Sequence, residues 1–214
     1  MNDIPPVIHE CVILGLFLGC FAVIALIRSL LLRYRSRSIQ RCANELGLGI
    51  YQDEDELLAK EGWDIADLTY NNALLSKGHH YGHKLFNIMY AEHDNLALFV
   101  FDHQYLQSAK QTTIDVFGIR QTVVAIVSAD IDVQKFELSV TGMVKGGFYE
   151  DFAVGVLEFF EKHPRTTVEG YRQSIVIYEP GRRVKPSEYS ELVGRGFEVF
   201  QILKNKCEAQ HFVS

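Results

Sequence analysis

The sequence has few of the residues whose abundance marks fibrous, low-complexity or disordered proteins. Five prolines and 16 glycines in 214 residues are too few for a collagen-like or low-complexity chain. Residues that favour disorder are also in short supply, because 48% of the chain is hydrophobic and only 22% is charged. The chain is therefore expected to build a core of its own, as one compact domain with at most one appended element.

Cysteine is scarce, with four in the chain, which argues against a disulfide framework. Cys11 and Cys20 are nine residues apart, about half a turn out of phase on a helix. Cys42 and Cys207 are expected to remain free thiols. Cys207 has no obvious basic partners nearby, so a catalytic thiolate is not expected there.

The chain also has few basic residues outside its first 41 positions. Five basic and two acidic residues fall in that stretch, and 16 basic and 25 acidic residues follow from position 42, which gives the remainder a net charge of −9. A body this acidic is a poor match to a polyphosphate backbone. Broad nucleic-acid binding is therefore not expected.

One long apolar run stands out near the N-terminus. Residues 11–27 contain no charged side chain, and the run continues past Arg28 to residue 32. A helix rises about 1.5 Å per residue, so residues 11–32 could cross the roughly 30 Å hydrocarbon core of a bilayer. Arg28 could extend its guanidinium to the headgroups. The run predicts a transmembrane helix at 11–32.

The charges around this run predict its orientation. A cleaved signal peptide would require a basic region before the run, and none is present. A cluster of arginines instead follows the run: Arg33, Arg35, Arg37 and Arg41. The positive-inside rule then places residues 1–10 outside the cytoplasm and the C-terminal body inside. The four arginines, in a basic segment at 33–42, are expected to contact the anionic inner leaflet. The sequence predicts a signal-anchored, single-pass protein.

The first part of the body predicts two short helices and a hairpin. Residues 38–46 have apolar side chains at helical spacing and are followed by Gly47, and residues 53–60 open with acids suited to a helix N-terminus. Apolar, aromatic-rich runs at 84–91 and 96–105 are separated by four polar residues, a pattern typical of a β-hairpin.

The rest of the body predicts more strands and two more helices. The expected elements are strands at 113–119, 122–128 and 136–140, a helix at 150–161, a second hairpin at 166–178 and a last helix from Pro186. Short connections favour an antiparallel meander over parallel units. The expected fold class is α+β, a mainly antiparallel sheet packed with two or three helices. The domain is predicted at 43–205, with a polar tail at 206–214.

Scattered motifs in the C-terminal third resemble those of a known family. They are Leu157-Glu158-Phe159-Phe160, Val168-Glu169-Gly170, residues 175–178, Gly181-Arg182-Arg183 and Pro186. With them the sequence resembles a family of uncharacterised bacterial single-pass membrane proteins that carry a cytosolic α+β domain. The resemblance implies a single-pass topology and a fold class, and the predicted location is the cell inner membrane. It implies no activity.

Histidine is unevenly distributed, since five of the eight fall within 25 residues: His79, His80, His83, His93 and His103. Imidazoles are common metal ligands, and His79 and His83 have the spacing that places two side chains on one helical face. The glycines at 78 and 82 instead favour a turn. Two interpretations stay open: a transition-metal site at His79, His80 and His83, or an exposed polar turn.

Catalytic signatures are absent from the sequence, with no nucleophile elbow and no glycine-rich phosphate loop. Asp102 and His103 would be neighbours on a strand and would point to opposite faces. Glu169 and Glu179 flank the second hairpin and are expected as solvated strand-end carboxylates. Arg182, Arg183 and Lys185 are expected to form a small basic patch.

These observations leave the question of enzymatic activity open but favour a non-enzymatic role. We expect a protein-interaction or scaffold module at the inner membrane, with an unidentified membrane or cytosolic protein as partner and no cofactor other than a possible transition metal. One alternative is a metal-dependent hydrolase or metal-sensing domain that uses the histidines between His79 and His103. A second is a small-molecule or lipid sensor with a pocket between sheet and helices.

Overall fold

The structure is a computed structural model that describes residues 6–65, 68, 83–106, 118–139 and 153–211. The chain divides into two compact units, Met1–Arg41 and Cys42–Ser214. Helix α1, Pro6–Leu46, supplies the described part of the first unit and the start of the second. Gly47 follows with a φ of 68°, the left-handed conformation that often ends a helix.

The prediction of a transmembrane helix at 11–32 is wrong. Among the described residues, the helices contain no run that is both long and apolar enough to span a bilayer. A span requires about 20 residues that are predominantly apolar.

The predictions that rested on this helix are corrected with it. They were a signal-anchored single-pass protein in the cell inner membrane, an N-terminus at 1–10 outside, and a cytoplasmic C-terminal domain. The finding that overturns them is the lack of any spanning helix in the described parts of the chain.

The second unit is built on one seven-stranded sheet, in which each strand is antiparallel to its neighbours in the order β1-β2-β3-β4-β7-β6-β5. This confirms the predicted α+β class with a mainly antiparallel sheet. The strands are β1 Gly49–Tyr51, β2 His83–His93, β3 Leu96–Tyr105, β4 Ile119–Ser128, β5 Val133–Ser139, β6 Thr167–Arg172 and β7 Ser174–Tyr178.

Both predicted hairpins are present. In the first hairpin, β2 pairs with β3, and the pair next to the turn is His93 with Leu96. In the second, β6 pairs with β7, and the pair next to the turn is Tyr171 with Ser174. Asp94 and Arg172 begin the two tight turns with φ values of 53° and 52°. Each turn is two residues long, and in a hairpin the length of the turn sets the register of the two strands.

In the described stretches of the second unit, three helical segments of eight or more residues accompany the sheet. Helix α2, Glu54–Glu61, is capped by Asp53, whose carboxylate accepts a hydrogen bond from the Glu56 amide at 3.0 Å. Helix α3 is Ala153–Lys162. Helix α4, Tyr189–His211, follows a 3₁₀ turn at Pro186–Glu188 and continues past the predicted domain end at 205.

Different elements pack against the two faces of the sheet. On one face a buried core joins the sheet to α2 and to Trp63; its aromatic members include Tyr51, Tyr90, Phe99, Phe101, Tyr105 and Tyr178. On the other face α4 lies close to β4 and β7 at Gly196. A Cβ at that position would come within 3.1 Å of Val124 Cγ1, so glycine permits the close approach of helix and sheet.

Some predicted boundaries cannot be compared with the structure. The start of the predicted strand at 113–119, the end of the strand at 136–140 and the start of the helix at 150–161 lie outside the described residues. The predicted domain bounds, 43–205 with a tail at 206–214, stay predictions.

Candidate functional site

Buried polar side chains gather at one end of the sheet, where β3 ends and β4 begins. The strands there bury Asp102, His103, Gln104, Gln121, Thr122, Thr167 and Glu169, with Thr166 and Glu179 adjacent to β6 and β7. Because successive side chains on a strand point to opposite faces, this polar end divides into two clusters. We call them the arginine network (Asp102, Thr122, Glu179, Arg182, Arg183 and Arg195) and the histidine cluster (His83, His103, Tyr105, Glu169 and Tyr178).

Asp102 is the centre of the arginine network and has none of its surface exposed. Its Oδ2 accepts hydrogen bonds from Arg183 Nε at 2.9 Å and Nη2 at 2.8 Å, and from Asn87 Nδ2 at 3.0 Å. Its Oδ1 accepts from Thr122 Oγ1 at 2.9 Å, and that hydroxyl oxygen accepts from the Val184 amide at 3.0 Å. These bonds tie the segment after β7 to the middle of the sheet.

A bulge in β2 supplies the amide donor to Asp102. The pairing of β2 with β3 shifts register between Phe86 and Met89, and Asn87 has a φ of 53° there. Asparagine tolerates this left-handed conformation better than most residues. The Arg183 guanidinium lies 5.2 Å from the centre of the Phe86 ring, which adds a cation–π contact to the ion pair.

Glu179 is the second buried carboxylate of the arginine network. Its Oε2 accepts from Arg182 Nη1 at 2.6 Å, and its Oε1 accepts from Arg195 Nη1 at 2.7 Å. Each arginine also contacts a second acid, Glu188 at 2.9 Å and Glu191 at 2.6 Å. Burial raises the pKa of Glu179, but the hydrogen bonds and charges of the two arginines outweigh it, so the pKa is lowered.

The arginine network therefore stabilises the fold. Asp102 accepts hydrogen bonds on both of its oxygens, and Glu179 is held between two guanidinium groups. Because the pKa of Glu179 is lowered, its carboxylate cannot serve as a general acid near neutral pH. The expectation that Glu179 is a solvated strand-end carboxylate is wrong, and so is the expectation for Glu169, since both are buried.

The histidine cluster lies on the opposite face. The His83 and His103 rings are 6.0 Å apart between centroids, and the His103 and Tyr105 rings stack at 5.1 Å with 21° between their planes. His103 is fully buried, whereas His83 is half-buried at the first position of β2. The Tyr178 hydroxyl donates a hydrogen bond to Glu169 Oε1 at 2.5 Å.

Burial keeps the phenols of this cluster protonated. The pKa of Tyr178 is raised by desolvation first, then by the neighbouring Glu169 carboxylate and the hydrogen bond to it. The pKa of Tyr105 is raised by desolvation and by the charge of Glu169. Both hydroxyls are therefore hydrogen-bond donors at physiological pH and cannot serve as phenolate ligands without a large cost.

The residues singled out in the sequence fall in several places. His79 and His80 lie outside the described residues, and His83 opens β2 in the histidine cluster. His93 ends β2 at the opposite, exposed end, next to Asp94 at 2.9 Å. In the described stretches, no group of three or more His, Cys, Asp and Glu residues is placed to hold a metal ion. The arginines predicted to meet a membrane surface, Arg33, Arg35, Arg37 and Arg41, lie on α1.

Sequence reasoning missed the arginine network. Asp102 and Arg183 are 81 residues apart in the sequence. Arg195 belongs to helix α4, which was predicted from the spacing of its apolar residues, so its polar side chains were not considered. The available signal was the Gly181-Arg182-Arg183 motif directly after a strand that ends in an acid. It was interpreted as a basic patch, because no local pattern shows which acids face it.

Comparison with known proteins gives little further information. No family model and no curated protein matches this sequence, so the resemblance to a family of single-pass membrane proteins has no support. Among solved structures, the chain is similar to the crystal structure of the mycobacterial trehalose monomycolate transport factor A. The TM-score is 0.47 and the identity 12%, over 80% of this chain and 95% of that chain. Both values are too low to transfer a function.

Proposed function

We propose that the protein is a non-enzymatic interaction module that binds a partner protein through helix α1. The observation that carries this proposal is the exposure of large apolar side chains on α1. Eight of them have between 50% and 75% of their surface exposed: Phe21, Val23, Ile24, Leu26, Ile27, Leu30, Leu31 and Tyr34. Contiguous apolar surface of this kind is typical of an interaction site.

The exposed apolar residues share one side of the helix. At about 100° per residue, all of them except Phe21 fall within an arc of about 160°. By the same count, the opposite side carries the smaller residues Ala22, Ala25 and Ser29, together with Phe21, Arg28 and Leu32. An apolar face of this width is suited to a hydrophobic groove on a partner protein, the mode in which a helix presents anchors at spacings of three and four residues.

The polar end of the sheet supports a non-enzymatic role. Its buried carboxylates Asp102, Glu169 and Glu179 each accept a hydrogen bond from an arginine or a tyrosine hydroxyl. An enzyme that uses acid–base chemistry needs a carboxyl or imidazole with access to substrate and a pKa suited to the task.

Site-specific photo-crosslinking in intact cells tests this proposal. A photoactivatable residue at position 30, on the apolar face, is expected to give reproducible crosslinks to one protein, and the same residue at position 25 is expected to give far fewer. The double substitution Ile27→Glu, Leu31→Glu should abolish the crosslinks, because two buried charges cannot be accommodated in an apolar groove.

The control variant is Leu58→Glu in α2, which replaces an exposed leucine that lies outside α1. It is expected to leave the crosslinks unchanged. The absence of any reproducible protein partner, or equal crosslinking from positions 25 and 30, would contradict the proposal.

We further propose that the arginines of α1 bind anionic lipid headgroups. Arg33, Arg37 and Arg41 are exposed, and Arg35 is half-exposed. They stand out because residues 42–214 have a net charge of −9. A basic residue near an anionic surface contributes about 1 kcal/mol. Four of them would strengthen the contact by roughly 4 kcal/mol at low salt, and less as salt screens the charges.

Co-sedimentation of the full chain with phospholipid vesicles measures this contact. Vesicles that contain an anionic phospholipid are expected to bind the chain in a salt-dependent way, and replacement of all four arginines by glutamine should remove that dependence. The matched control is Arg165→Gln with Arg172→Gln, two exposed arginines of the sheet unit. Equal sedimentation with neutral and anionic vesicles would rule out a role for the arginines.

A further inference from the structure

We propose that His83 and His103 together bind one divalent transition-metal ion. The sequence alone pairs His83 with His79 and His80, whereas the sheet places it beside His103. In the β2–β3 register, His83 is opposite Tyr105 and Leu85 is opposite His103, so the two histidines are diagonal neighbours on one face. This site is independent of the interaction proposed for α1.

The spacing of the two rings is close to that of two imidazoles on a common ion. A metal–nitrogen distance of about 2.0 to 2.1 Å puts each ring centroid about 3.2 Å from the ion, so two rings at a tetrahedral angle stand about 5.3 Å apart. The observed separation of the centroids is 6.0 Å. A small rotation of the half-buried His83 ring would close the difference.

The surroundings of the two histidines suit a preformed site. His103 is fully buried and its ring is held against Tyr105, so little conformational entropy remains to be lost when it binds. His83 is half-buried, which leaves a route for an ion from solvent. Imidazole nitrogens suit zinc, copper and nickel, and copper(II) binds most strongly in the divalent series.

The proposed site has two protein ligands among the described residues. In the part of the chain that the structure describes, no third His, Cys, Asp or Glu joins the pair as a metal-binding group. Structural zinc sites have four protein ligands, so two imidazoles with water in the remaining positions would bind and release the ion more readily. Reversible binding of this kind fits metal sensing or metal-dependent regulation better than a structural role.

Copper(II) is the probe for the experiment, added to the untagged full chain after removal of metal with a chelator. Electron paramagnetic resonance is expected to show one copper per chain with nitrogen ligands from two imidazoles. His83→Ala should remove one of these nitrogens and weaken binding by about tenfold or more, because a ligand is lost from the folded site. His83 is half-buried, so this variant is expected to stay folded.

His93→Ala is the matched control, since His93 lies at the other end of β2 with its side chain 89% exposed. It should bind copper as the natural chain does. His103→Gln should reproduce the loss seen with His83→Ala, with circular dichroism to confirm the fold. Copper bound equally by the natural chain and by His83→Ala would overturn the proposal. Loss of binding in His79→Ala or His80→Ala with normal binding in His103→Gln would also overturn it.

Discussion

Replacement of Asp102 by alanine is expected to lower the free energy of unfolding by about 3 to 5 kcal/mol, the cost of removing one partner of a buried ion pair. The substitution leaves the Arg183 guanidinium, which has 20% of its side-chain surface exposed, without its carboxylate. The side chains of Asn87 and Thr122 lose the acceptor for their hydrogen bonds at the same time. Urea denaturation of the full chain, followed by circular dichroism, measures the change.

Two further variants separate the buried ion pair from simpler effects. Glu56→Ala removes a more exposed pair with Lys60, 2.7 Å long, and is expected to cost far less, because solvent screens the two charges. The double variant Asp102→Ala, Arg183→Met removes both buried charges and should recover part of the stability lost in Asp102→Ala. A loss no larger for Asp102→Ala than for Glu56→Ala would show that the pair does not hold the fold together.

The pattern of apolar and polar residues within short segments made much of the sheet predictable. The strands at 84–91 and 96–105 were expected from apolar, aromatic-rich runs with a polar turn between them, and the structure places β2 and β3 there. The second hairpin follows from the same signals. Such elements are readable because a strand and the turn that reverses it lie within a few residues of each other.

The order of the strands was not predictable in the same way. β4 pairs with β7, so that Val123 lies opposite Tyr178 across a gap of 55 residues, and β5 lies at the edge of the sheet beyond β6. Periodicity identifies which side chains are buried but not which strand covers them. The contact between Asp102 and Arg183 depends on this pairing, which is why Arg183 was assigned to a basic patch and Asp102 was given no partner.

The transmembrane prediction failed for a related reason. It rested on the hydropathy of residues 11–32 alone, and a span of about 20 apolar residues is the only requirement that hydropathy tests. In the structure the same residues belong to a helix that runs on to Leu46 through five arginines.

The candidate metal site was half predictable. The accumulation of histidines identified His83, and its neighbours in sequence supplied the other expected ligands. His103 was counted in the histidine-rich stretch but was not paired with His83. Its position beside His83 follows from the register of β2 on β3, in which residue numbers run in opposite directions.

Replacement of Glu179 by glutamine is expected to lower the free energy of unfolding at pH 7 by about 3 kcal/mol, because a charge-assisted hydrogen bond contributes about 1.5 to 3 kcal/mol and two are weakened. Arg182 and Arg195 keep their contacts with Glu188 and Glu191, which limits the loss. Chemical denaturation of both proteins at pH 7 gives the difference directly.

The same variant should change the dependence of stability on pH. The pKa of Glu179 in the folded chain is lowered from its ordinary value of 4.5, with the arginine hydrogen bonds outweighing desolvation. A carboxyl with a lowered pKa stabilises the fold above its unfolded pKa, and the contribution is lost as the pH falls through the folded value. The stability gap between the natural chain and Glu179→Gln should therefore be constant near neutral pH and narrow below about pH 4.5.

Glu191→Gln provides the comparison that makes this assignment specific. The pKa of Glu191 is also lowered, first by its hydrogen bond with Arg195, but its side chain is 62% exposed and solvent screens the pair. Its substitution should have a much smaller effect on stability at pH 7 and on the slope below pH 4.5. If Glu179→Gln and the natural chain lost stability in parallel on acidification, Glu179 would be titrating at the same pH in the folded and unfolded chains. The two arginines would then stabilise the fold through contacts other than those with the Glu179 charge.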